Sequence, residues 1–425
     1  MNTSTNNASS ASSSSSPMAR AYRAAAAIGL AAGLGSGLAG CSAVSLHSPA
    51  PVEARAPATA RPGADALPPA ATPAFHVSRD PAAALHPASR WQAVDWSELP
   101  GWSADRTREA WIALQRSCGR LGADVQRETP AWTRICAEAL RTEPADDTAT
   151  RAWLMARLQP YRVLPVDGNA AEGLATGYFE PLIEASRTPR AGHRLPLHAP
   201  PADLATRKPW YTRAQTESLP AARAALRGRE IAYVADPLDV LLLQVQGSGR
   251  LRWVTGEGAE GGAPVVRLAF AGHNDQPYQS VGRWLIDQGE IKPGEASWPA
   301  IREWARRNPA RVAEMMAANP RLVFFREEPL ADPQQGPRGA QGVPLVPERS
   351  IAVDPKSVPY GSPVWLDTTE PLSSRPLRRL VLAQDTGSAI SGAVRADYFW
   401  GWGERAEQQA GRMKQPLRMW VLWPK

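Results

Sequence analysis

The chain has 425 residues, a hydrophobic fraction of 43% and a formal charge of +7. That length holds about two domains once an amino-terminal leader and tether are set aside, and the apolar share is ordinary for a globular protein. Only five of the 48 basic residues are lysines, and the arginines are scattered rather than striped, with no nucleic-acid fold signature. Nucleic-acid binding is therefore excluded, while an anionic polymer fits the mild basicity weakly.

The amino terminus reads as an address. Residues 1–17 are rich in Ser and Asn, and Met18 opens a cleaner signal. Arg20 and Arg23 precede an apolar stretch, Ala24 to Leu38, too short and too Gly-rich for a membrane span. Leu38-Ala-Gly-Cys41 then resembles a bacterial lipobox. Residues 1–40 thus read as a signal peptide and Cys41 as the lipidated residue. Without Arg20 and Arg23 the mature chain carries about +5. Residues 41–89, dominated by Ala, Pro and small polar residues, read as a tether unable to bury a core.

Three helices are expected next: Ala104–Gly119 with Ser103 as N-cap, Ala131–Arg141 and Thr148–Arg157. Cys118 and Cys136 lie in the first two, and an oxidising compartment would let them pair. Strands are expected at 177–184, Val240–Val245, Arg250–Val254 and Val265–Phe270. Helices follow at Ser280–Gln288 and Ala300–Ala318, the latter interrupted by Pro309. Short strands close the chain at Val323–Phe325, Ile351–Val353, Pro363–Leu366, Leu380–Ala383 and Met419–Leu422. Short strands divided by Gly and Pro favour barrels over a doubly wound parallel sheet.

Several chemistries are excluded. The six histidines offer no metal-ligand spacing, so neither a metal nor a cofactor is expected. There is no Gly-rich phosphate loop and no Gly-x-Ser-x-Gly elbow; Ser248, in Gly-Ser-Gly, reads first as a turn. The sixteen Trp can stack on sugars or fill cores, and composition leaves both open.

The last 80 residues hold the polar oddities. Asp354 and Asp385 follow apolar strands, and Asp397 precedes Tyr-Phe-Trp-Gly-Trp-Gly. Carboxyls at strand ends beside glycines and aromatics are candidates for a raised pKa and acid/base work.

At these residues a resemblance becomes specific. Val343-Pro-Leu-Val-Pro, Ile351-Ala-Val-Asp, Ala383-Gln-Asp-Thr-Gly and Arg395-Ala-Asp-Tyr-Phe resemble the three-aspartate domain of the membrane-bound lytic murein transglycosylase A family. Thr176-Gly-Tyr-Phe-Glu-Pro, Gln244-Val-Gln-Gly-Ser-Gly, Gly272-His-Asn with Tyr278, and Asn319-Pro with Val323-Phe-Phe resemble it too. The similarity covers roughly residues 90–425.

The resemblance implies a mainly β fold with helices (α+β). A double-psi β-barrel would be built from residues 90–182 and 333–425, with a second β-rich, barrel-like substrate-binding domain inserted at 183–332. It implies Asp397 as the acid/base, Asp385 as its supporting neighbour and Asp354 as the third member. The stretch between Asp385 and Asp397 is one residue longer than the family pattern. Tyr178, Gln246, Ser248 and Phe325 are expected to line the glycan groove. The implied partners are peptidoglycan glycan strands and, through acylated Cys41, outer-membrane lipid; cell-wall synthesis or division proteins are left open. Ser42, after the lipobox, favours the periplasmic face of the outer membrane.

The implied reaction cuts the β-1,4 bond between N-acetylmuramic acid and N-acetylglucosamine. The muramoyl C6 hydroxyl closes a 1,6-anhydro ring in place of water, so a single carboxyl suffices. Two alternatives remain: a noncatalytic peptidoglycan-binding lipoprotein, and a hydrolytic glycosidase on the same barrel. An aspartic protease is disfavoured, because its Asp-Thr/Ser-Gly signature occurs once, at Asp385.

Overall fold

The computed structural model describes residues 83–167, 172–254, 265–371 and 373–425. The signal-peptide and Cys41 readings lie outside the described residues. Within the described residues Ala83–Leu85 form a 3-10 turn and His86 is buried, stacked 3.9 Å from the Trp91 ring.

The strands in chain order are Ser89–Ala93 (β1), Leu158–Pro165 (β2), Gly173–Glu180 (β3), Leu182–Ala185 (β4), Leu195–His198 (β5), Glu230–Val234 (β6) and Gly249–Trp253 (β7). They continue with Val265–His273 (β8), Val323–Pro329 (β9), Ser350–Val353 (β10), Pro363–Thr369 (β11), Pro376–Asp385 (β12), Arg395–Trp402 (β13) and Lys414–Pro424 (β14). Helix and strand each make up 31%, so the protein is mixed α+β rather than mainly β.

The largest sheet runs β1-β2-β14-β11-β12-β10-β13-β3, and β14 also pairs with β3. The long β14 makes this possible. Its first half, Lys414 to Leu417, lies against β3, while its second half lies against β2 and β11. Six strands therefore form a closed ring, which removes free edges. One face of the ring is apolar: Val353, Val364, Val381, Ala383, Tyr398, Leu417 and Val421 are all fully buried. Twelve of the sixteen Trp are buried as well, which makes packing rather than sugar stacking their main role.

A second sheet, β4-β7-β8-β9, follows β3 after Pro181 alone, with the β5-β6 pair beside it. Glu180, at the end of β3, is fully buried and accepts hydrogen bonds from Arg250 Nε (2.7 Å) and Arg267 Nε (2.6 Å), which sit opposite each other on β7 and β8. The guanidiniums also donate to the carbonyls of Pro333 and Gln335, on the segment returning to the large sheet. Arg250 lies 4.0 Å over the Trp402 ring of β13. One carboxylate thus ties both sheets and the return segment together.

Three local expectations fail for physical reasons. Residues 240–245 belong to the helix Pro237–Gln246, not to a strand. Asp236 caps it through Leu238 N (2.8 Å), Pro237 occupies the first turn and Gly247 ends it at φ 77°. Those flanking signals outweigh a short apolar run, which periodicity cannot assign. The helix expected from Ala104 begins only at Trp111, and Ser103 lies inside a 3-10 turn. Asp105 is held extended there because its carboxylate accepts from buried Arg349 and from Leu380 N (2.9 Å). Finally, Pro309 splits residues 300–318 more fully than an interruption, into Trp298–Arg307 and Val312–Ala317.

Cys118 and Cys136 form a disulfide between Trp111–Cys118 and Pro130–Ala139, with Cα atoms 4.9 Å apart. Closing a loop of 18 residues contributes about 3 kcal/mol in the chain-entropy account. Reduction is therefore expected to lower the melting temperature; an unchanged melt in reductant would contradict a stabilising bond.

Candidate active site

Strand order brings the three aspartates to one end of the large sheet. β10 lies between β12 and β13, parallel to the first and antiparallel to the second. Ala352 of β10 is the partner of both Asp385 and Asp397. The two carboxyls therefore flank one small side chain. Beneath them lies an apolar cluster of Tyr178, Leu345, Ala352, Ile390 and Phe399, with Trp402 against it.

Asp397 is half-buried. Its register partner on parallel β3 is Thr176, whose Oγ1 donates to Asp397 Oδ1 at 2.6 Å. Asp397 makes no other hydrogen bond among the described residues, so Oδ2 is uncommitted. Burial raises its pKa above the ordinary carboxylate value; the Thr176 bond and the Arg395 charge oppose the rise without cancelling it.

Asp385 is more fully engaged. Oδ1 accepts from Ala340 N and Thr386 N (both 2.9 Å), and Oδ2 accepts from the Tyr178 hydroxyl (3.0 Å). Burial, aided by the Asp397 charge, still pushes it up to about 6. In the free protein Asp385 is thus the member of the pair whose proton is held up by its neighbour's charge. Tyr178 stays a phenol, held well above its ordinary value by burial and by both aspartates. Tyr278 is also raised, by burial first and the Asp397 charge in addition.

A pH prediction follows from Asp385. Its proton binds more tightly in the folded protein than at the ordinary value of 3.8. The associated stability is full at low pH and is lost as pH rises through about 6. Asp385→Asn removes the buried charge. It is expected to raise the melting temperature at about pH 7.5 and to change it little at about pH 4.5. An equal shift at both would contradict this.

The other expected site residues divide. Asp354 does not converge with the pair as a free group: its two oxygens accept Lys356 N and Gly392 N (both 3.0 Å), so it braces its turn to the 392 loop. Gln246 ends its helix beside β3, where Oε1 accepts Phe179 N at 3.0 Å. Ser248 is buried in the turn before β7. Gly249 is needed there, since a Cβ would come within 2.2 Å of Leu243 Cδ2. Phe325 cannot line a groove, because it is fully buried in the core; its partner across the ladder, Phe270, carries the exposed ring. Thr176 and Arg395 were missed as site residues. Each stands two residues before one already chosen, Tyr178 and Asp397, and strand period places such pairs on one face. Among the described residues no cluster of three or more His, Cys, Asp or Glu could hold a metal ion.

The profile of the MltA specific insert domain matches residues 174–326, and that of the 3D domain matches residues 349–423. Membrane-bound lytic murein transglycosylase A of Escherichia coli K12 is 32% identical over 256 residues, 58% of this chain. The match spans 64% of that protein's own length. The structure of the lytic transglycosylase LtgG of Burkholderia pseudomallei is 46% identical, with 79% of this chain and 96% of that one aligned and a TM-score of 0.53. The structure of E. coli MltA with bound chitohexaose is 26% identical, with 79% and 94% aligned and a TM-score of 0.59. This chain belongs to the membrane-bound lytic murein transglycosylase A family.

Proposed function

We propose that the protein is a peptidoglycan lytic transglycosylase in which Asp397 is the single acid/base. The observation that carries this reading is the asymmetry of Asp397: a half-buried carboxyl with a raised pKa, one oxygen held by Thr176 and the other uncommitted. Both oxygens of Asp385 are committed, which suits it to support rather than to reach a substrate.

The two carboxyls titrate as a coupled pair. A glycan seated over Oδ2 of Asp397 excludes water and favours the proton there. The three donors on Asp385 hold that neighbour as the anion. Asp397 donates to the glycosidic oxygen as the bond to muramoyl C1 breaks. As carboxylate it then accepts the C6 hydroxyl proton while that oxygen closes onto C1. The nucleophile belongs to the substrate, so its effective molarity is high and no second carboxyl is required.

The same reading makes the six-stranded ring a double-psi β-barrel of residues 90–182 and 333–425, with 183–332 as the inserted glycan-binding domain. Closure through β14 supports the first part. Tyr278 and Gln246 would approach the sugar from the insert side. The relative seen with chitohexaose supports a glycan as ligand. Lipidation of Cys41 would place the enzyme at the periplasmic face of the outer membrane, in keeping with relatives named membrane-bound.

The test is release of soluble muropeptides from purified sacculi. Release by the wild-type protein is expected. Tight binding to sacculi with no release would favour the noncatalytic reading instead.

A further inference from the structure

We propose that Thr176 and Arg395 act as a positioning pair that dictates which oxygen of Asp397 carries the catalytic proton. This deepens the transglycosylase reading and rests on it. A threonine hydroxyl has one hydrogen to give and two lone pairs to accept with. Arg395 Nη2 donates to Thr176 Oγ1 at 2.9 Å, and a guanidinium has nothing with which to accept. The Thr176 hydrogen must go elsewhere. Among the described residues the acceptor within reach is Asp397 Oδ1, at 2.6 Å. That distance is typical of a hydroxyl donating to a carboxylate. With Oδ1 receiving a hydrogen, the acidic proton belongs on Oδ2, the oxygen left free for the glycosidic bond.

The arrangement is rigid. Thr176 and Asp397 are register partners on parallel β3 and β13, so their side chains leave the same face. Arg395 stands on that face too, two residues before Asp397, and is pinned by its own bonds to the carbonyls of Leu174 (3.3 Å) and Ala396 (2.7 Å). Loss of the hydroxyl would leave the carboxyl free to present either oxygen, and its proton would divide between a productive and an unproductive site.

The pair also has a titration signature. Asp397 is faced by Arg395 on its own strand, Thr176 and Tyr178 from β3, Asp385 from β12 and Tyr278 from the segment after β8. Of these, Thr176 and Arg395 favour the ionised carboxyl. Removing either lets Asp397 keep its proton to higher pH. The alkaline limb of the pH–rate profile, where the acid form disappears, then moves upward.

The experiment measures anhydro product from sacculi across pH for the wild type, Thr176→Val, Thr176→Ser and Arg395→Gln, with melting curves for each. Thr176→Val and Arg395→Gln are expected to lose about tenfold or more in turnover at the wild-type optimum and to shift the alkaline limb upward. KM should change little. Thr176→Ser should keep both rate and profile, since it keeps the hydroxyl. A merely structural role would lower the rate at every pH and leave the limb in place. Unmoved limbs in Thr176→Val and Arg395→Gln, or a Ser variant that behaves like Val, would overturn the positioning pair while the transglycosylase reading stands. If Thr176→Val fails to fold, Arg395→Gln against Thr176→Ser decides the question on its own. No anhydro product from the wild type would overturn both.

Discussion

Asp397→Asn is expected to lower anhydro product by at least ~100-fold while binding to sacculi persists. General acid/base catalysis contributes roughly 10²–10⁴-fold, and an amide of the same shape cannot cycle a proton. The Thr176 hydroxyl can still donate to the Asn oxygen, so the local structure around β3 and β13 should survive. Asp385→Asn should be milder or comparable, because it acts through Asp397. Turnover by the purified variants on sacculi, with binding followed by sedimentation, separates the two. The opposite pattern would reassign the proton: near-normal turnover in Asp397→Asn, and none in a folded Asp385→Asn. That outcome has a physical route, since in the free protein Asp385 is pushed up to about 6.

Glu180→Ala is expected to be the most damaging single change to stability. The substitution leaves Arg250 and Arg267 buried without their carboxylate, at the point where β3, β7, β8 and the return segment meet. Breaking one partner out of a buried ion pair costs about 3–5 kcal/mol, because a buried charge is left uncompensated. In a protein of this size that corresponds to a drop of about 4–7 °C in melting temperature. Glu180→Gln retains an acceptor and should fall between. A melt unchanged by Glu180→Ala would mean that the carbonyls of Pro333 and Gln335 and the Trp402 ring satisfy the guanidiniums unaided.

Two of the strands that position the aspartates were legible as short apolar runs ending at a polar residue, whereas β13, which carries Asp397, was not expected as a strand. Ile351–Val353 and Leu380–Ala383 lie inside the observed β10 and β12. What could not be read was their order in space. Nothing local says that β10 runs between β12 and β13, or that Ala352 is the partner of both Asp385 and Asp397; long-range pairing decides that. Asp354 illustrates the consequence. It shares the pattern of the other two, yet its oxygens are taken by main-chain N–H groups of its own turn and the 392 loop. Phe325 misled for a related reason. Phe324 and Phe325 are both buried although they are neighbours on β9, while Phe270, the ladder partner of Phe325, is exposed; alternation along the strand therefore could not say which aromatic ring meets solvent. The run 240–245 was ambiguous on hydrophobicity, and its caps, Asp236-Pro237 and Gly247, held the answer. Thr176 and Arg395 were readable from strand period only once residues 395–402 were known to be a strand lying beside β3.

The most direct test of the central claim is the mass of the products formed from sacculi in ¹⁸O-labelled water. Intramolecular closure by the C6 hydroxyl adds no water. The account therefore predicts 1,6-anhydromuramoyl ends, one water lighter than reducing ends and free of label at the cleaved position. Reducing ends carrying ¹⁸O would contradict it and identify a hydrolase.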